Sequence, residues 1–237
     1  GSLLGLAVGD ALGATSVFRP PGSFAPLTDM TGGGPFGLSP GQWTNDTAMA
    51  LCLAASLAEK KGFDGLDQIE RYMRWWREGY MSCTGRCFDI SHAVRWALET
   101  HAQTGKPFCG ADDPDREDNS ALTRLAPVAI LFSRHPVEAV ERARQSARIT
   151  HGTAADLDAC RYFAGLLAGA VNGAPKEELL SPLHSPAPGY WTANPLAPDI
   201  AAVAAGSFKR KVPPDIRASG TSVASLEAAL WAFAWTD

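Results

Sequence analysis

The sequence predicts an all-α fold, and three observations carry that expectation. Apolar residues recur at three- and four-residue spacing through most of the long stretches, no stretch sustains the apolar/polar alternation of a half-buried strand, and glycine, proline or short polar runs separate the periodic segments. At 237 residues the chain can bury one substantial core, and nothing in its composition calls for a split. A single domain is expected, built as a compact bundle of about eight to ten helices.

Residues 3–14, Leu-Leu-Gly-Leu-Ala-Val-Gly-Asp-Ala-Leu-Gly-Ala, place Gly5, Gly9 and Gly13 four apart, so one face of a first helix is bare backbone on which another helix could pack closely. Membrane helices use the same small-residue spacing, but this apolar run breaks at Asp10, far short of the roughly 20 residues a span requires. No membrane association is expected. Residues 15–43 are rich in glycine and proline and read as loop. Ala48 to Lys61 reads as helix, with Met49, Leu53 and Leu57 four apart, Gly62 as its stop and Asn45 or Asp46 as N-cap.

Leu66, Ile69, Tyr72, Met73 and Trp76 mark another amphipathic helix, ended near Gly79, and a polar turn over 80–86 leads to one carrying Ile90, Val94 and Leu98. A loop from Thr104 to Asp118 follows; its Asp112, Asp113 and Asp115 lack the glycine and terminal Glu of an EF-hand and read as solvated. Leu122, Leu125, Val128 and Phe132 predict the next helix, and Pro136 opens one with Val137, Val140 and Ala147. Residues 153–172 predict a long helix with Leu157, Cys160, Phe163, Leu167 and Val171 inward and Gly173 as stop. Pro182 to Pro198 reads as loop, and helices are expected over 197–208 and 222–236, the last striped by Val223, Leu226, Leu230 and Phe233.

Apolar residues make up 46% of the chain and charged ones 19%, and the net charge is −4, which excludes a disordered chain and gives no footprint for a polyanion. No nucleic-acid partner is expected: Lys209-Arg210-Lys211 is the one basic run, and it reads as a solvated helix end. Five cysteines (Cys52, Cys83, Cys87, Cys109, Cys160) without a signal peptide fit reduced thiols in a cytoplasmic protein better than a disulfide framework. Cys83 and Cys87, with His92 nearby, match no zinc spacing and lack a fourth ligand.

The chemistry concentrates in Thr44-Asn45-Asp46-Thr47, delivered by the glycine-rich loop 31–37 to the mouth of a helix. A cap needs one oxygen and contributes about 1 kcal/mol, whereas four adjacent polar side chains supply the hard-oxygen set that Mg²⁺, Ca²⁺ or Mn²⁺ prefers. Helix-opening turns at 44–46, 82–85, 119–120 and 150–152, if gathered at one end of the bundle, would suit a diphosphate. His151, beside Thr150 and Gly152 at a helix start, reads either as a satisfied structural histidine or as a general base or ligand contact. No Ser-His-Asp order or nucleophile elbow is visible.

Several motifs then match one family in order: Leu-Leu-Gly-Leu-Ala-Val-Gly-Asp-Ala-Leu-Gly at 3–13, Gly-Gly-Gly-Pro-Phe-Gly at 32–37, Gly-Gln-Trp-Thr-Asn-Asp-Thr-Ala-Met at 41–49, Ser-x-Thr-Gly-Arg-Cys-Phe-Asp-Ile at 82–90, Arg-Leu-Ala-Pro at 124–127, Thr-His-Gly at 150–152 and Leu-Glu-Ala-Ala-Leu-Trp-Ala-Phe at 226–233. Across nearly the whole chain the sequence resembles the ADP-ribosylglycohydrolase family, including its dinitrogenase reductase-activating type. The resemblance implies an orthogonal all-α bundle, a binuclear Mg²⁺ or Mn²⁺ site, and hydrolysis of the bond linking ADP-ribose to a protein side chain, often arginine. It places the metal motif on Thr44, Asn45 and Asp46, with Asp46 and Asn45 also catalytic. It places contacts to ADP-ribose or an ADP-ribosylated protein on Ser82, Thr84, Gly85, Phe88, Asn119, Ser120, Ala121 and His151.

Four departures from the family pattern bear on activity. Asn45 replaces a carboxylate by a neutral amide, Val17 stands at the usual position of a glutamate, and Thr221 stands at that of a frequent tyrosine. The family's late Asp-x-Asp-Thr metal segment does not occur before the sequence ends at Trp235-Thr236-Asp237. The expectation is therefore one family-like domain over 1–237 with half of the metal site, acting as an ADP-ribosyl hydrolase or, alternatively, as an impaired relative that binds ADP-ribose or a modified partner.

Overall fold

A computed structural model describes residues 1–20 and 22–236 of the chain; Pro21 and Asp237 lie outside the described residues. Its helices are α1 (Ser2–Gly13), α2 (Asn45–Lys60), α3 (Gly65–Glu78), α4 (His92–Thr104), α5 (Ser120–Thr123), α6 (Ala126–Leu131), α7 (Pro136–Ala147), α8 (Ala154–Val171), α9 (Lys176–Leu179), α10 (Tyr190–Ala193), α11 (Pro198–Ala204) and α12 (Ser222–Trp235). They occupy more than half of the chain, and extended pairing among the described residues is limited to the isolated bridges Gly33–Leu38 and Ala111–His151. The all-α expectation holds.

Local signals set most boundaries. Asp64 caps α3 by accepting from the Leu66 and Asp67 N–H groups, and Gly79 ends it at φ 71°. Thr153 caps α8 through the Asp156 N–H, and Pro136 starts α7 where its missing donor is not needed. Gly79 also has a second duty, because a Cβ there would stand 2.1 Å from the Gly85 carbonyl oxygen; only glycine lets the 80–91 loop fold back on the end of α3.

Four expectations are corrected. The helix over 122–132 is two short ones, α5 and α6, separated at Arg124 and Leu125, with Pro127 in the first turn of α6. Ile90 precedes α4, whose N-cap is Ser91. The stretch 182–198 contains α10, and 197–208 is α11 followed by a 3-10 turn. The N-cap of α2 is Thr44 rather than Asn45 or Asp46, and the capping oxygens come from elsewhere in the chain, as described below.

Helix α8 is the hub, packed by α5, α6, α7, α9, α11 and α12. Its Leu157, Tyr162 and Leu166 join Leu53 and Leu57 of α2, Val128 of α6, Val140 of α7, Ile200 of α11 and Leu226 and Leu230 of α12 in one apolar cluster. A second cluster joins Met49 of α2 to Ile69, Tyr72 and Trp75 of α3, Val94 and Leu98 of α4, and Ile149. Each large side chain so buried stabilises the fold by roughly 1.5–3 kcal/mol before entropy is counted. Helix α2 contributes to both clusters, so its N-terminus is held rigidly where α1, α2, α5 and the 80–91 loop meet.

All five thiols are free. No helix of the described residues is long and apolar enough to cross a membrane. Two of the three cations in the basic run are engaged by the protein: Lys209 donates to the Leu180 carbonyl at 2.6 Å and Lys211 pairs with Glu227 at 2.7 Å.

Candidate active site

A cavity of about 540 Å³ opens between α1, α2, α5, α6, α8 and α12, with Ser2, Asp10, Thr44, Asp46, Asp89, Thr123 and Ser225 as its polar lining. The glycine face of α1 borders it, and a Cβ built on Gly5, Gly9 or Gly13 meets nothing within 4 Å. The expected helix on that face is absent among the described residues. The small residues there widen the cavity instead.

Asp10 organises the mouth of α2. Its Oδ1 accepts from the Thr44 hydroxyl at 2.7 Å, its Oδ2 from the Thr47 hydroxyl at 2.6 Å and the Thr47 N–H at 3.1 Å, and the Thr44 N–H reaches both oxygens at 3.1 and 3.0 Å. A carboxylate from α1 thereby performs the capping task, satisfying otherwise orphaned N–H groups and opposing the positive end of the helix dipole. This frees Asp46, in the first turn, to face the cavity.

Asp46 accepts the Thr123 hydroxyl on Oδ1 at 2.7 Å and keeps some solvent contact at the cavity wall while lying deep in the protein. Desolvation pushes its carboxyl up to about 7; the Thr123 hydrogen bond opposes the shift, and the charges of Asp10, Asp89 and Asp118 add to it. Asp89 sits at φ 55°, a left-handed conformation that aspartate tolerates, and burial followed by the charge of Asp10 raises its carboxyl to about 6. Among the described residues no basic side chain lines the cavity beside them.

Such a wall tests whether a divalent cation fits. The free Oδ2 of Asp46, the remaining lone pair of Thr44 Oγ1 and the Asp89 carboxylate are hard oxygens that lack a counter-charge. No group of three or more His, Cys, Asp or Glu ligands converges at metal-binding spacing among the described residues. The donor chemistry fits an ion of the Mg²⁺ kind, which binds through one or two carboxylates and takes its other oxygens from water and substrate. Cys83, Cys87 and His92 form no such group.

The expected site residues divide. Thr44 and Asp46 line the cavity; Asn45 is 8% exposed and is not part of its wall. The 80–91 loop is tied to the approach to α2: Trp43 Nε1 donates to the Met81 carbonyl at 3.3 Å, and Cys83 Sγ to that of Trp43 at 2.9 Å. The Ser82 and Thr84 hydroxyls both donate to the Arg86 carbonyl, at 2.7 and 3.2 Å, and Gly85 lies against Gly79. Phe88 packs on Phe36, centroids 5.3 Å apart, in a separate hollow of 330 Å³ shared with Thr84. Asn119 donates to Ser225 Oγ at 2.9 Å, whereas Ser120 and Ala121 are buried. The turn they form reaches the cavity through Thr123.

His151 is 1% exposed and engaged on both nitrogens, Nδ1 with Thr150 Oγ1 at 2.8 Å and Nε2 with Asp118 Oδ1 at 2.9 Å. Asp118 also accepts the Ser120 N–H at 2.9 Å. Burial works against its ionised form, but the hydrogen bonds from His151 and Ser120 outweigh it and hold the carboxyl well below the usual range. Gly152 follows because a Cβ there would lie 2.6 Å from the Ala111 carbonyl carbon, in the strand-like pairing of 109–111 with 148–151.

Sequence reasoning missed Asp10, Asp89, Asp118 and Thr123 as site-building residues. The Gly-Asp-Ala-Leu-Gly run was the available signal for Asp10, since a carboxylate amid small apolar residues needs partners. Val17, where the family pattern carries a glutamate, does line the cavity.

Comparison with known proteins agrees with this architecture. The family model described as ADP-ribosylglycohydrolase matches residues 1–237. The chain is 43% identical over 234 residues to the ADP-ribosylarginine hydrolase Tri1 of Pseudomonas putida, covering 98% of this chain and 60% of that protein. It is 34% identical over 177 residues to the ADP-ribosyl-[dinitrogen reductase] glycohydrolase of Rhodospirillum rubrum, covering 73% and 58% respectively. It thus spans about 60% of the length of these curated relatives. Among solved structures, an ADP-ribosylglycohydrolase-related protein complex superimposes with a TM-score of 0.83 at 42% identity, covering 99% of this chain and 74% of that one. With a match over its whole length, and with the Gly-Asp-Ala-Leu-Gly and Thr-Asn-Asp-Thr motifs locked together around one cavity, this chain belongs to the ADP-ribosylglycohydrolase family.

Proposed function

We propose that this protein removes ADP-ribose from a modified protein side chain of the arginine type, assisted by Mg²⁺ or Mn²⁺ at Thr44 and Asp46. The observation that carries the reading is the pair Asp46 and Asp89, two desolvated carboxyls facing one cavity without a counter-charge. Relatives named as ADP-ribosylarginine hydrolases support arginine as the acceptor.

The chain's own groups have separable tasks in this reading. Thr123 occupies one oxygen of Asp46 and leaves the other for the ion, while Asp10 fixes Thr44 and Thr47. The bare face of α1 leaves room for the nucleotide sugar to approach backbone closely. A bound cation supplies charge neutralisation, orientation of ribose oxygens and a more acidic water. Asp46 is the principal protein ligand, and Asn45, off the cavity wall, is assigned no direct contact.

Val17 in that wall favours a second reading, in which ADP-ribose or a modified partner is bound but not cleaved. Release of free ADP-ribose from an ADP-ribosylated arginine peptide, with and without Mg²⁺ or Mn²⁺, separates the two. Ion-dependent release that Asp46→Asn abolishes supports hydrolysis. Calorimetric ADP-ribose binding without release supports the second reading, for which Val17→Glu is expected to raise turnover. Neither binding nor release would overturn both.

A further inference from the structure

Arg124, in the break between α5 and α6, is 1% exposed and has no carboxylate partner among the described residues. Its Nη2 donates to Thr150 Oγ1 at 2.5 Å, its Nη1 reaches only the Met49 sulfur at 3.9 Å, its Nε has no partner, and its guanidinium lies 4.9 Å from the centroid of Tyr72. A buried cation of this kind opposes folding unless it is paired, so its retention calls for a task. That task follows from the direction in which protons must run.

A guanidinium only donates, so Thr150 Oγ1 accepts from it. Thr150 is fully buried, and its single hydroxyl proton has His151 Nδ1 as the partner in reach, at 2.8 Å. Nδ1 then carries the lone pair, and Nε2 carries the hydrogen that the ionised Asp118 accepts at 2.9 Å. In this order the Thr150 hydroxyl hydrogen and the imidazole hydrogen each have one acceptor. A proton on Nδ1 would strand the threonine hydroxyl in a dry interior and bring a second positive charge toward Arg124.

We infer that Arg124 and Thr150 are positioning residues that impose on His151 the neutral tautomer with hydrogen on Nε2, aimed at Asp118. The charged groups around the imidazole are Asp118 before α5, Asp156 on α8, and Arg124, which is flanked by Tyr72 of α3 and acts through Thr150. Asp118 in turn holds the Ser120 N–H, at the head of the turn whose Thr123 grips Asp46. The hydrogen-bond order set at Arg124 is thereby passed through Thr150, His151 and Asp118 to the turn beside the cavity. The relay rests on the hydrolase reading only for its effect on catalysis.

Nitrogen-15 NMR of ring-labelled histidine tests it without substrate, the His151 signals being identified by their loss in His151→Gln. The wild type is expected to show a protonated Nε2 and an unprotonated, hydrogen-bonded Nδ1 at neutral pH. In Arg124→Met nothing orients the Thr150 hydroxyl and it can turn into the vacated space, so a form with hydrogen on Nδ1 is expected to appear beside the Nε2–H form; Arg124→Lys is expected to restore the wild-type pattern. In Thr150→Val the Nδ1 signal is expected to move to that of an unbonded imine, and Thr150→Ser to return it, so the test stands even if Arg124→Met fails to fold. A proton on Nδ1 in the wild type at neutral pH, or a folded Arg124→Met with wild-type signals, overturns the inference. If these patterns hold while no ADP-ribose is released, the relay stands and the hydrolase reading falls.

Discussion

Replacing Asp10 by Asn tests the junction on which the cavity is built. The carboxylate accepts from four donors, the N–H and hydroxyl groups of Thr44 and Thr47, all at 3.1 Å or less. Asparagine matches its shape but has one acceptor oxygen. If the carbonyl stays on Thr44, the amide nitrogen faces the Thr47 N–H and hydroxyl. The hydroxyl can rotate to accept, but the N–H, in the first turn of α2, cannot. An orphaned buried donor costs about 1–3 kcal/mol, and losing the charge beside the helix N-terminus adds about 0.3–1 kcal/mol. The expected loss is about 1.3–4 kcal/mol, or roughly 3–16 °C in Tm for a chain of this size. Thermal and urea unfolding of the metal-free protein measure it, with the exposed Asp29→Asn as control. A Tm for Asp10→Asn within about 2 °C of both would refute the cross-helix capping argument.

Further outcomes follow from the same geometry. Asp118 has its carboxyl lowered in the folded state, so its contribution to stability is complete above about pH 4 and drains away as pH falls through its folded value. Asp118→Asn is therefore expected to lose about 1–3 kcal/mol at pH 7, with the gap to wild type closing in acid; a gap that stays constant down to about pH 2 contradicts it. Gly9→Ala is expected to stabilise α1 by up to about 1 kcal/mol, since nothing lies within 4 Å of the new Cβ, while weakening ligand binding by narrowing the cavity. A destabilised Gly9→Ala would mean that the glycine face is packed in solution. Gly79→Ala is expected to destabilise by more than the roughly 1–2 kcal/mol of a left-handed residue, because its Cβ also meets Gly85 at 2.1 Å; an unchanged Tm would refute that close approach.

Much of this fold is legible in the sequence because helices announce themselves locally. The stripe Leu66–Trp76 with Gly79, and the run 153–172 with Thr153 and Gly173, carry period, cap and stop within one segment. The split at Arg124 is not legible that way, since Leu122, Leu125 and Val128 keep helical spacing across a break made where a buried guanidinium turns toward Thr150. At the site, Thr44 and Asp46 stand out as a polar cluster, yet the residue that holds them, Asp10, is 34 positions from Thr44. Asp89 and Thr123 enter by similarly non-local contacts, and no spacing rule contains those. The glycine spacing of α1 marks a face open to close approach, and the same spacing serves a packed helix or, as here, a cavity wall.

The most direct test of the account is calorimetric titration of ADP-ribose into wild type and Asp46→Asn, each with and without Mn²⁺. Binding strengthened by the ion in the wild type, and indifferent to it in Asp46→Asn, is the expected result. Equal affinities in all four titrations, or none measurable in any, would contradict the assignment of the Asp46 cavity as a cation-assisted ADP-ribose site.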